Sequence, residues 1–174
     1  MRPIGVFGGT FDPIHYGHLR TAHELHELLG LEAVAFLPAG DPPHRAAPLA
    51  DAKTRLAMVR AAVGDDPRFR VDDRELGRTG PSYTILTLEE MRAERGSQPI
   101  VLIMGMDAFA GIERWHRAGE ILSLAHIVVA LRPKAPTPAD GLAARLLRDR
   151  RCADPARLSA GPAGLVFVSE GTQL

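Results

Sequence analysis

The residues best suited to chemistry form one run, Gly8-Gly9-Thr10-Phe11-Asp12-Pro13-Ile14-His15-Tyr16-Gly17-His18, lodged between an apolar stretch and an amphipathic one. Gly8 and Gly9 have no side chain to keep a phosphate away from the backbone. A helix starting beyond them offers unpaired amides and the positive end of its dipole. His15 and His18 stand three residues apart at the helix entry, so both imidazoles can point at one anion. Gly17 between them leaves room for a flat or sugar-like group. The spacing describes a triphosphate cradle. The run is neither G-x-x-x-x-G-K-[ST] nor G-x-G-x-x-G, which weighs against a P-loop ATPase and a dinucleotide fingerprint. Two other readings of the histidines are a metal pair and plain surface residues. Metal-binding pairs on helices usually stand four apart, as in H-E-x-x-H, and no third ligand is evident.

Elements of regular structure must position this run. Apolar segments of strand length alternate with longer amphipathic ones along the chain, the sign of βαβ units around a parallel sheet. Strands are expected at Ile4 to Phe7, Val34 to Leu37, Phe69 to Val71, Ile100 to Met104, Ile127 to Leu131 and Leu165 to Val168. Helices are expected from Gly17 to Leu29, after an Asp51 N-cap, from Tyr83 to Glu94 and from Asp140 to Arg151, with short helical turns over Ala108 to Leu122. On the first helix Leu19, Ala22, Leu25, His26 and Leu29 would face the sheet, and on the second Leu56, Val59, Ala62 and Val63. The continuous apolar run from Ile100 reads as a central strand buried on both faces. The expected fold is α/β, a Rossmann-like open parallel sheet of five to six strands with helices on both faces.

Composition narrows the function classes. The chain has 174 residues, 21 basic and 21 acidic, with 45% apolar residues. That is the profile of one ordinary globular domain. Its single cysteine, Cys152, excludes an intramolecular disulfide and a cysteine-based zinc site, and makes the reducing cytoplasm the default compartment. Zero formal charge with scattered basic residues argues against a nucleic-acid partner. The Arg145, Arg148, Arg150 and Arg151 cluster reads as a solvated helix face. Only four apolar or small residues separate Met1-Arg2-Pro3 from the glycine pair, so no signal peptide or membrane span is expected. Oligomeric state is left open, with a homo-oligomer admitted.

The glycine- and histidine-rich run resembles the G-x-F-D-P-x-H-x-G-H signature of the nucleotidylyltransferase superfamily. More narrowly, the chain is similar to the bacterial nicotinate-nucleotide adenylyltransferases. The resemblance extends over Pro38-Ala39-Gly40-Asp41-Pro42-Pro43-His44-Arg45, Pro81-Ser82-Tyr83-Thr84, Gly105-Met106-Asp107, Trp115 and the segment from Ala125 to Pro133. It implies adenylyl transfer from ATP, with Mg²⁺, to nicotinate mononucleotide, giving nicotinate adenine dinucleotide and pyrophosphate in NAD biosynthesis. No protein nucleophile is needed, and no metal-ligating side chains are expected. Catalysis then rests on alignment and on stabilising the leaving pyrophosphate. By the resemblance His15 and His18 are catalytic, and Gly8, Gly9, Thr10, Phe11, Gly17, Gly105, Asp107 and Arg132 serve ATP. His44, Arg45, Ser82, Tyr83, Thr84, Asp107 and Trp115 would serve the mononucleotide, with Trp115 stacked on the pyridine ring and Asp107 on ribose hydroxyls.

Each assignment has a plainer rival. Asp107 and Ser82 suit helix capping, Trp115 suits core packing, and His44, Arg45 and Arg132 suit a solvated surface. His23, His26, His116 and His126 show no partner pattern and read as packing or surface residues. Pantetheine-phosphate adenylyltransferase is the nearest rival within the superfamily, though its pattern usually has Thr where His15 stands. A nucleotide-binding module without turnover is the rival from another class. Family members carry I-S-x-T-x-x-R after the last strand, whereas this sequence stops at Leu174. The expectation is therefore a single domain, residues 1–174, shortened at its C-terminus.

Overall fold

The computed structural model describes residues 1–40, 49–132 and 135–170. Six parallel strands form one sheet: β1 (Ile4–Gly9), β2 (Ala33–Pro38), β3 (Phe69–Val71), β4 (Ile100–Gly105), β5 (His126–Ala130) and β6 (Val166–Ser169). Their order across the sheet is β3-β2-β1-β4-β5-β6. The chain therefore winds outward from β1 in one direction and then from β4 in the other. Ile4 pairs with Ala33 on one side and Ile100 on the other. The order reverses between β1 and β4, and open α/β sheets bind ligands at such a point, beyond the carboxyl ends of the strands.

Strand alternation sends side chains to two cores. Ile100, Leu102 and Met104 pack with Ile85, Leu88 and Met91 of helix α3 (Thr84–Arg95). Val101 and Ile103 face the other side, with Ala22, Leu25 and Leu29 of α1 (Tyr16–Leu29) and Val59 and Val63 of α2 (Ala52–Val63). The expected burial of β4 on both faces is what the structure has. Each such side chain contributes about 1.5–3 kcal/mol. A short α4 (Met106–Ala110), α5 (Gly141–Arg150) and three 3-10 turns over Ile112–Arg114, Ala118–Ser123 and Pro155–Ser159 complete the described helical elements.

Two expectations for α2 need correction. Ala62 is exposed and Leu56 only half-buried, whereas Arg55 is 1% exposed. Positions 55, 59 and 63 share one helical face, so the spacing did mark Arg55 for burial. Its guanidinium tolerates that position because it donates to three backbone carbonyls, those of Thr10, Ala39 and Ala50. Asp51 caps α2 as expected, accepting from the Thr54 amide at 2.7 Å.

Candidate functional site

A cleft of about 1490 Å³ opens beyond the carboxyl ends of β1 and β4. Sites for one small molecule usually enclose about 300–1,000 Å³, so this one has room for two nucleotides. Gly8, Gly9, Thr10, Phe11, His15, Gly17 and His18 line it from the β1 side. Gly105, Asp107, Trp115 and Arg132 line it from beyond β4 and β5, and Ser82, Tyr83 and Thr84 from the start of α3. His44 and Arg45 lie outside the described residues.

The two histidines of the first loop hold each other. His15 is the N-cap of α1, and its Nδ1 accepts from the Gly17 amide at 3.0 Å. His18 returns the contact, its Nδ1 accepting from the His15 amide at 3.1 Å. The rings stack at 3.9 Å between centroids. A neutral imidazole that accepts at Nδ1 carries its proton on Nε2, so the reciprocal cap leaves each ring one Nε2–H donor. The sequence-based picture of free amides at the α1 entry is corrected accordingly. The Gly17 amide is taken by His15 Nδ1, and the His18 and Leu19 amides by the His15 carbonyl. Imidazole donors stand where backbone donors were expected. Gly17 is needed for a different reason as well: a Cβ there would sit 2.8 Å from the His15 ring. Any side chain would push that ring out of the cap.

Burial, then His15, then Arg132 push the His18 pKa down to about 4, so the ring is neutral in the free protein at pH 7. Arg132 is exposed at the cleft wall, close enough to act on that ring. Asp107 is exposed too, but it does not cap a helix. Gly105 holds the N-cap position of α4, without a side-chain bond, and Asp107 sits in the first turn. Its carboxylate is left facing the cleft.

At the far end, Ser82 is not a cap either. Its hydroxyl accepts from Arg78 at 2.7 Å, and Tyr83 occupies the N-cap of α3 with no side-chain bond. The Thr84 amide donates to no described residue and Thr84 lines the cleft, which leaves one donor at this helix start. Trp115 is half-buried, packed on the core and lining the cleft at once. Among the described residues no three His, Cys, Asp or Glu side chains come together to hold a metal ion. None of the described helices is long and apolar enough to cross a membrane.

Residues 6–166 match the Cytidylyltransferase-like family. A relative from Methylococcus capsulatus, named a probable nicotinate-nucleotide adenylyltransferase, is 47% identical over 98% of this chain and 82% of its own length. One of the same name from Dechloromonas aromatica is 48% identical over 99% of this chain and 81% of its own. The chain belongs to the nicotinate-nucleotide adenylyltransferases. A solved structure of the Plasmodium falciparum nicotinic acid mononucleotide adenylyltransferase, complexed with NaAD, covers 99% of this chain and 77% of that one with a TM-score of 0.70. At 14% identity that likeness speaks for the fold.

The structure adds cleft residues that sequence reasoning passed over. His116, read as packing or surface, stacks on Tyr83 with centroids 4.2 Å apart. Both rings line the cleft. Glu75 accepts from the Thr87 hydroxyl at 2.7 Å, and Arg78 reaches Thr87, Ser82 and Glu90. Burial raises the Glu75 pKa above the usual carboxylate range, against the opposing pull of Thr87 and Arg78. The partners in this network lie up to a dozen positions apart, so no local motif announces them. The other three histidines fit the expected packing or surface reading. His126 is fully buried, His26 is half-buried with Nδ1 unpartnered among the described residues, and His23 touches Glu27 and Arg68.

Proposed function

We propose that the cleft holds ATP and nicotinate mononucleotide together and joins them. An oxygen of the mononucleotide phosphate attacks the α-phosphorus of ATP and forms a new P–O bond. The bond to the β-phosphate oxygen breaks, and pyrophosphate leaves with its electron pair. The attacking oxygen is already anionic, so the protein supplies alignment and donors rather than a nucleophile or base. Magnesium bound with ATP would neutralise phosphate charge beside the donors that His15, His18 and Arg132 supply.

The observation that carries this reading is the reciprocal histidine cap. It presents two oriented Nε2–H donors beside Arg132, a set suited to the departing pyrophosphate. Gly8, Gly9, Thr10, Phe11, Gly17 and Gly105 would bound the ATP side, with Asp107 accepting from ribose hydroxyls. The open amide of Thr84 suits a carboxylate on the pyridine ring, with Ser82 and Tyr83 beside it and Trp115 against the ring face. His44 and Arg45 would meet phosphate from the loop after β2. We place the reaction in the cytoplasm.

The test is Mg²⁺-dependent pyrophosphate release with ATP and each of nicotinate mononucleotide, nicotinamide mononucleotide and phosphopantetheine. Release with nicotinate mononucleotide alone is expected. Release with phosphopantetheine alone would transfer the chain to the neighbouring activity, and silence with all three would leave it a nucleotide-binding module.

A further inference from the structure

Arg55 has no part in the chemistry just described, yet it sits beneath the loops that line the cleft. Its guanidinium is buried, and among the described residues it makes no ion pair within 4.0 Å. It donates instead to the carbonyls of Thr10 at 2.9 Å, Ala39 at 2.7 Å and Ala50 at 3.2 Å. These carbonyls belong to three separate segments. Thr10 follows β1, Ala39 follows β2, and Ala50 precedes α2.

A trans peptide unit is planar, with its C=O and N–H pointing in opposite directions. The only cis bond in the described chain is Asp12–Pro13, so the Thr10–Phe11 and Ala39–Gly40 units are trans. Turning the Thr10 and Ala39 carbonyls inward, onto Arg55, therefore turns the Phe11 and Gly40 amides outward. Neither amide donates to a described residue, and Phe11 and Gly40 both line the cleft. Phe11 also adopts φ +50°, a left-handed conformation that strains a non-glycine residue and must be held from outside. The Arg55 bond to the preceding carbonyl is such a hold. A buried cation behind two aligned peptide dipoles also extends its positive field through them to the amides.

We propose that Arg55 is a positioning residue, whose buried guanidinium turns the Thr10–Phe11 and Ala39–Gly40 peptide units so that their amides face the cleft as donors for phosphate. This rests on the reading that the cleft binds phosphorylated nucleotides. Lysine retains the charge but cannot span three carbonyls with a planar fork, and methionine retains only the volume.

The experiment compares two ligands that differ by one phosphate, nicotinate mononucleotide and nicotinate riboside, bound to the parent protein, Arg55→Lys and Arg55→Met. Binding is normalised to the folded fraction from thermal melts. Both variants are expected to lose about tenfold or more in affinity for the mononucleotide, the range of a charge-assisted contact, and less than about twofold for the riboside. Equal losses for the two ligands, or no loss for either, would overturn the role of Arg55. Should the variants fail to fold, the parent protein still decides. Its Phe11 and Gly40 amide resonances are expected to shift with the mononucleotide and not with the riboside, and unmoved amides overturn the proposal. A parent that binds neither compound would instead remove the cleft assignment, and the role of Arg55 with it.

Discussion

The two ends of the sheet use the same side-chain types to opposite effect. At the amino end, Arg92 donates to the carbonyls of Gly96, Gln98, Leu124 and Pro162. His126 accepts from the Leu165 amide at Nδ1, and its Nε2 meets the Gly161 carbonyl at 2.8 Å. Both of its nitrogens are used. At the carboxyl end His18 has the same Nδ1 arrangement, but its Nε2 is left open to the cleft, and the amides of Phe11 and Gly40 are open as well. A polar group with every valence filled by the protein stabilises it. One with a valence left over is available to a ligand where it faces the cleft, and it costs stability where it is buried, as at His26 Nδ1, which has no partner among the described residues.

The sharpest way to break this contrast is at the closed end. His126→Ala deletes a fully buried ring and strands the Leu165 amide and the Gly161 carbonyl, a loss of about 3 kcal/mol in stability. Thermal melts should show it, while turnover per folded molecule stays within about twofold. A changed KM for either substrate would mean that the closed end is not separate from the site.

His18→Ala is the counterpart at the open end. Turnover is expected to fall between about tenfold and a hundredfold, roughly 1.4–2.7 kcal/mol of barrier, with a smaller effect on mononucleotide affinity. The ring also serves as a cap, so stability should fall by about 1 kcal/mol. His18→Gln tests whether a neutral side chain can carry both duties, because a glutamine at N3 can accept from the His15 amide through Oε1 and offer its Nε2 as a donor. Its turnover and its stability should both exceed those of His18→Ala. Because the His18 pKa lies near 4 in the free protein, the pH profile of kcat/KM should show no loss of activity from its deprotonation between pH 6 and 8. A fall centred near 6.5 that disappears in His18→Gln would show the ring working as a cation.

The open end was the more legible of the two, and the reason is distance along the chain. His15, Gly17 and His18 are mutual neighbours, so their spacing carried the cradle, and hydrophobic periodicity carried the six strands and their helices. What spacing could not carry was the use of each group. The histidine cap consumes the α1 amides that a helix entry ordinarily offers, which follows from ring orientation rather than from residue order. Arg55 was overlooked although its spacing from Val59 and Val63 put it on the buried face, since a charge argues for exposure until three carbonyls are found around it. Asp107 and Ser82 went from suspected caps to groups free of that duty, each by a shift of one or two residues in where a helix begins. His116 and Glu75 came to the cleft through partners far off in sequence, Tyr83 and Thr87.

Gln98 and Glu75 make the last and finest comparison. Both are largely buried, and both meet their neighbours through hydrogen bonds: Gln98 Nε2 donates to the Arg2 carbonyl at 3.0 Å, while Glu75 accepts from Thr87. The amide at the closed end has no charge to lose. The carboxyl at the open end is held above its ordinary pKa, first by burial. Between the ordinary carboxylate value and that raised one, the folded chain holds a proton that the unfolded chain has released. The stabilisation is therefore complete below the ordinary value and is lost as pH rises through the folded one. Glu75→Gln should abolish this slope, so its melting temperature should gain on that of the parent as pH rises. Mononucleotide binding should follow the same course, because an ionised Glu75 in the cleft repels the carboxylate on the pyridine ring. The parent KM for nicotinate mononucleotide should then rise with pH while that for nicotinamide mononucleotide does not. Parallel profiles for the two acceptors would mean that Glu75 acts only on the fold, as Gln98 does.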